Sequence, residues 1–238
     1  MERQSQPRRA ASWAAAVGQG ALGVWMAGVI AAAFAWAPRA AGFGGESSRI
    51  VFFHVPQAMI AFLAFLISTG YGVAYLRTRR LRHDSAAAAV AALGLLFCVL
   101  TTVTGSIFAR VNWGTYWNWD PRETTIVMVL FIYGAYFALR SGVDDPERRA
   151  ALASAYGLFA FATVPFLFFI LPRLTVSLHP SDTLAPGGPR MDPRTLRVFL
   201  ASVAGHMALF CWITRLRLRL VDLEEAILEP EGARDAGC

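Results

Sequence analysis

Four aromatic side chains, Trp113, Tyr116, Trp117 and Trp119, fall within seven consecutive positions of the stretch VNWGTYWNWDPRETT, residues 111–125. Arg110 and Arg122 bracket them, and Asp120, Pro121 and Glu123 follow at once. Of the four histidines, His54 in VFFHVPQAM and His179 in VSLHPSD come out on the same side as this stretch once the apolar segments are laid out. Broad aromatic faces suit a flat apolar macrocycle, paired imidazoles suit its iron, and guanidinium groups suit its propionates. The chemistry such a set would serve is porphyrin binding. Trp113, Tyr116, Trp117 and Trp119 would form the platform, His54 and His179 the axial ligands, and Arg110 and Arg122 would face the carboxylates.

The elements that must position these residues follow from composition. The chain has 238 residues, 56% of them hydrophobic and 16% charged, against roughly 25% charged in soluble domains. A spanning helix needs about 20 predominantly apolar residues. Six such segments are predicted, at about 14–37, 51–76, 86–107, 121–139, 151–171 and 196–214. They make residues 1–238 a single all-α polytopic membrane domain. The first is longer than a signal-peptide core and is read as a retained helix.

Every basic residue is an arginine. Short cytoplasmic loops retain basic residues, and the clusters at 3–9, 77–82, 140–149 and 215–219 predict that side as cytoplasmic, with both termini inside. Outward loops are then expected at about 38–50, 108–120 and 172–195, the middle one carrying the aromatic stretch. The net charge of +6 reflects topology and contact with a lipid surface, not nucleic-acid binding, which would require a basic patch on a soluble module. With no Lys in the chain, a nucleotide-binding G-x-x-x-x-G-K-[ST] loop is excluded, so any ATP dependence must come from another chain. Cys98 and Cys211 lie in apolar segments and Cys238 is the last residue. No outward loop holds a cysteine pair, and Cys-x-x-Cys-His is missing, so covalent haem attachment of the usual kind is not expected.

Simpler roles compete for the same residues. Trp and Tyr collect at membrane interfaces as belts, and Arg110 and Arg122 could anchor helix ends at the headgroups. Asp120 with Pro121 and Glu123 reads as a capping box that starts the fourth segment. His206, inside the sixth segment, is expected to be a satisfied residue of the bundle interior, and His83 belongs to the arginine-rich side.

The run WGTYWNWDPRETT resembles the tryptophan-rich WWD signature of the haem-handling membrane proteins of cytochrome c maturation, the family of CcmC, CcmF and CcsA. Within that family FFHVPQAM resembles the first outward histidine motif of CcmC-like members, LTVSLHPSD occupies the place of the second, and the six-segment length agrees. CcmC-like members usually carry Trp where this chain has Tyr116, and the ending WDPRETT is nearer CcsA-like members. Those are longer and use additional membrane-embedded histidines, for which only His206 is available here.

The resemblance implies haem b held non-covalently on the outer face of the bacterial cytoplasmic (inner) membrane, facing the periplasm. His54 and His179 would ligate the iron, with Trp113, Gly114, Tyr116, Trp117, Trp119 and Asp120 against the macrocycle. It also implies presentation of the haem to a CcmE-like chaperone, whose own histidine makes the covalent bond. A CcmD-like small subunit and a CcmA/CcmB-like ATP-binding cassette pair are the further partners implied. The expected role is that of a haem chaperone and transfer component, not of a conventional enzyme. The alternatives are a CcsA-like haem export or cytochrome c synthase component, a b-type electron carrier, and a permease subunit. The carrier would need ligands deep between helices, and the permease would need polar groups along a central path.

Overall fold

The computed structural model describes residues 6–39, 44–179 and 191–228, with the backbone alone at 6–12, 14 and 225. Every regular element among them is helical: α1 (Gln6–Ala35), a 3-10 turn (Gly45–Ile50), α2 (Val51–Thr78), α3 (Leu81–Trp113), α4 (Pro121–Ser141), α5 (Pro146–Leu174) and α6 (Pro193–Leu228). Six of these helices are long and apolar enough to cross a membrane. The chain is a six-span, all-α, multi-pass membrane protein, as its apolar segments predict.

Local chemistry sets where the helices start and stop. Asp120 caps α4, its carboxylate accepting from the Arg122 N–H at 2.9 Å while Glu123 reaches back to the Asp120 N–H at 3.3 Å, which completes the predicted capping box. Asp145 caps α5 in the same way through the Arg148 N–H, with Pro146 in the first turn. Within α5 the backbone widens to a π turn at Phe166–Ile170, just after Pro165 and ahead of Pro172; neither proline has an N–H to donate to the ladder.

The helices run beyond the predicted segments, and one boundary changes the picture of the motif. α3 remains helical to Trp113, where Gly114 in the left-handed region (φ 82°) ends it. Arg110 and Trp113 therefore stand on the last turns of a helix, and the loop expected at 108–120 shortens to 114–120. The charge of Arg110 suggested an earlier stop, yet a cation near a helix C-terminus stabilises the final turn. Of the loop expected at 172–195, 172–174 and 193–195 are helical, while 175–179 and 191–192 are not. Residues 180–190 of that loop lie outside the described residues, as do 40–43 of the loop expected at 38–50.

α2 and α3 form a hairpin turned at Arg79 and Arg80, and α4, α5 and α6 pack around it. The core centres on Phe65, whose ring stacks on Tyr133 at 3.5 Å between centroids and lies against Gly94. A Cβ at Gly94 would come within 2.6 Å of that ring, so only glycine admits the close approach of α2 and α3. At the end of the bundle remote from the motif, Arg140 of α4 makes a two-pronged ion pair with buried Asp84 of α3, Nη2 to Oδ2 at 2.8 Å. α1 packs against α6, where the Trp25 indole N–H donates to the Ala201 carbonyl at 2.9 Å.

Candidate functional site

The motif end of the bundle is assembled from the first turn of α2, the last turns of α3, the 114–120 loop, the start of α4 and the strap that leaves α5 at Thr175. His54 is half-buried on α2 and leans on α3. Its Nδ1 lies 2.9 Å from Thr104 Oγ1, and Gly105 leaves the room: a Cβ there would stand 3.0 Å from His54 Cε1. The one proton of the Thr104 hydroxyl is directed to the carbonyls of Leu100 (2.8 Å) and Thr101 (3.1 Å). The oxygen is left to accept, so Nδ1 of His54 carries the proton and Nε2 carries the lone pair.

His179 reaches the same state by another route. Its Nδ1 is 2.8 Å from Oδ1 of Asp120, a carboxylate whose side chain is fully buried. Burial pushes the Asp120 pKa up, but donation from the Arg122 and Leu178 N–H groups, the neighbouring His179 and the Ser177 hydroxyl outweigh it and hold it below the ordinary carboxylate value. Asp120 is thus ionised and can only accept, so His179 donates from Nδ1 and presents Nε2. Burial also lowers the His179 pKa despite Asp120, so the imidazole is neutral at pH 7. A carboxylate behind an imidazole whose far nitrogen is bare is the arrangement found behind metal-ligating histidines.

The strap is tied to the same carboxylate. Ser177 Oγ donates to Asp120 Oδ2 at 2.9 Å and the Leu178 N–H donates to it at 2.6 Å. Asp120 therefore serves the helix cap, the strap and the histidine at once. Glu123 Oε2 accepts from the N–H groups of Asn118 (2.8 Å) and Asp120 (3.3 Å), which fixes the chain on both sides of Trp119.

The aromatic residues divide into two groups. Trp113 is half-buried and meets the His179 ring edge-on, 5.1 Å between centroids, with Phe108 behind it at 5.6 Å. Tyr116 and Trp119 stand out, 61% and 78% exposed, and Trp117 lies edge-on to Trp119 at 6.0 Å. The Arg110 guanidinium donates to the Gly114 carbonyl and sits over the Tyr116 ring at 5.7 Å, so it shapes the loop. Arg122 stands in the first turn of α4, its N–H bonded to Asp120.

His206 lies apart, buried in α6, its Nδ1 within 2.9 Å of the Ser202 carbonyl, while Ser202 Oγ donates to the Phe52 carbonyl. It is the satisfied interior residue that the sequence predicts. His83, at the opposite end, contacts Thr78 Oγ1 at 2.8 Å.

The structure thus brings together His54, His179, Trp113 and Asp120, with Gly114, Tyr116, Trp117 and Trp119 on the adjoining loop. Thr104, Gly105 and Ser177 are the residues that sequence reasoning missed. A threonine followed by glycine near the end of an otherwise apolar helix was the available signal for the first two. Ser177 offered none.

The model of the family described as "Heme exporter protein C" matches residues 3–231. Proteins named heme exporter protein C are similar over most of this chain. The one from Bradyrhizobium diazoefficiens is 32% identical over 70% of this chain and 63% of its own length. That from Paracoccus denitrificans is 30% identical over 74% and 73%, and that from Escherichia coli K12 is 29% identical over 74% and 70%. The chain thus spans a little under two thirds of the Bradyrhizobium protein and more of the others.

Proposed function

Because the chain belongs to the heme exporter protein C family, we propose that it binds haem b non-covalently between His54 and His179 and presents it for cytochrome c maturation. The observation that carries this reading is the matched setting of the two imidazoles: Nδ1 of each lies against an oxygen, Thr104 Oγ1 at 2.9 Å or Asp120 Oδ1 at 2.8 Å, and with Nδ1 donating each Nε2 is left to ligate. Two neutral imidazole nitrogens are what haem iron takes as axial ligands. The residues present fit the macrocycle as well: Trp113 borders His179, and the exposed rings of Tyr116 and Trp119 offer apolar faces to a flat ligand.

When bound, the haem supplies the iron and a vinyl edge to be joined to an acceptor protein. The chain's own work is to bind and orient. Thr104 and Asp120 fix the ring tautomers, Arg122 is placed to balance a propionate, and Arg110 and Gly114 set the path of the loop. With both axial positions filled by protein nitrogen, small ligands have no open site. The membrane is the bacterial inner membrane with both termini in the cytoplasm, and the motif end faces the periplasm. The partners are a CcmE-like haem chaperone, a CcmD-like small subunit and a CcmA/CcmB-like transporter pair.

The test is the absorption spectrum of the full chain, purified in detergent and loaded with haem b, in both redox states. A low-spin bis-histidine spectrum is expected, and His54→Ala or His179→Ala should each abolish it. A spectrum unmoved by the double variant would end the ligand assignment.

A further inference from the structure

The two imidazoles present the same nitrogen but are held by very different structures. His54 belongs to a helix: it rises from α2 between buried Phe52 and Pro56, leans on Thr104 and Gly105 of α3, and shares the α2–α3 hairpin that forms the centre of the bundle. Its backbone is fixed in the packed α2–α3 hairpin. His179 belongs to a strap, extended at Thr175, that has left its helix. Among the described residues, the Thr175 hydroxyl donates back to the Leu171 carbonyl of α5 at 3.1 Å, and every other hydrogen bond from 175–179 to another element ends on Asp120: from Ser177 Oγ, from the Leu178 N–H and from His179 Nδ1. The remaining anchor is the edge contact of His179 with Trp113. Val176 on the strap is 99% exposed and adds no packing, and Leu178 is 50% exposed.

On the basis of the haem-binding reading, we infer that His54 is the fixed axial ligand and His179 the exchangeable one, with Asp120 as the positioning residue that sets how readily His179 gives way. One carboxylate is then the catch of the site. When the strap lifts from it, the iron–Nε2 bond of His179 breaks, the electron pair stays on the imidazole, and an acceptor's nitrogen fills the vacated position while His54 keeps the macrocycle in place. No redox change is needed for the exchange. Entry and release would take place on the strap side of the macrocycle, the side that Trp113 borders.

The experiment uses the full chain in detergent, loaded with haem b and reduced, with carbon monoxide as the exchanging ligand. Asp120→Asn keeps a residue that caps helices well but removes the charge and one acceptor oxygen from the strap. Weakening a group behind a metal-ligating histidine typically lowers its hold 10- to 100-fold. Carbon monoxide affinity, measured per bound haem, should rise by about that factor. Thr104→Val acts on the other ligand and should lower haem retention without raising carbon monoxide affinity. His179→Ala should keep haem as a five-coordinate high-spin species, whereas His54→Ala should lose it on gel filtration. Equal haem loss in the two alanine variants, or an unchanged carbon monoxide affinity in Asp120→Asn, would overturn the asymmetry while leaving the haem site standing. A wild-type chain that binds no haem would overturn both.

Discussion

Thr104→Val isolates what a single hydroxyl does for the site. Among the described residues the Thr104 hydroxyl makes no other polar contact than those to its own helix carbonyls and to His54, so replacing it with a methyl removes one acceptor from the His54 ring. The His54 N–H then keeps only the Thr101 carbonyl as an acceptor, or the ring moves its proton to Nε2 and loses the ligating lone pair. An unsatisfied buried donor costs about 1–3 kcal/mol, which at 1.4 kcal/mol per tenfold corresponds to about 5- to 150-fold in Kd. Because His54 is half-buried, water can recover part of the loss, and a weakening of about tenfold is expected. Titration of haem b into the detergent-solubilised chain, followed in the Soret band, measures it. Thr104→Ser keeps the hydroxyl and should bind as the wild type does. Wild-type affinity and an unchanged spectrum in Thr104→Val would refute the argument that α3 sets the tautomer of His54.

Arg140→Leu strands the Asp84 carboxylate, which is 2% exposed, and should destabilise the fold by about 3–5 kcal/mol. Thermal unfolding in detergent should show this, and the double change Asp84→Leu with Arg140→Leu should recover most of it. The haem-loaded chain should keep its low-spin spectrum unchanged from pH 8 to 7. His179 has a lowered pKa, so its contribution to stability is complete above the ordinary histidine value and declines as pH falls below about 6.5. That of Asp120, also lowered, declines only in the acid carboxylate range, and a spectral change above pH 7 would contradict both assignments. Trp119→Gly relaxes a left-handed backbone and removes an exposed ring, so thermal stability should hold or rise by about 1 kcal/mol while haem affinity falls.

The six spans were legible because a bilayer demands an unbroken apolar run, which sequence displays directly. The cap of α4 was legible because Asp120, Pro121 and Glu123 are neighbours in the chain. The ends of α3 and α5 were not, since a spanning helix can continue past its apolar stretch until a residue such as Gly114 or an extended one such as Thr175 turns the chain aside. The pairing of His179 with Asp120 joins residues 59 positions apart, and the carboxylate already had an adequate explanation as a cap. The role of Thr104 was hidden because a threonine in an apolar helix ordinarily returns its hydroxyl to its own backbone, as this one also does.

Trp119 shows why the acids of the motif count for as much as its aromatics. It is a bulky residue with φ 57°, a conformation that costs roughly 1–3 kcal/mol and persists only where the surroundings dictate it. Glu123 takes the N–H before it and the N–H after it, and the Asp120 carboxylate is held by the Arg122 N–H, the strap and His179. Between two fixed peptides the chain has one path, and that path turns the indole outward. A residue needed only as an interfacial anchor would reach the same depth from relaxed backbone, and a core residue would not be 78% exposed. On the proposed haem-binding function, the strain has its counterpart in a flat ligand that the ring would meet. Asp120, one of the two carboxylates that impose it, also holds His179, so the proposed platform and the proposed ligand share one network.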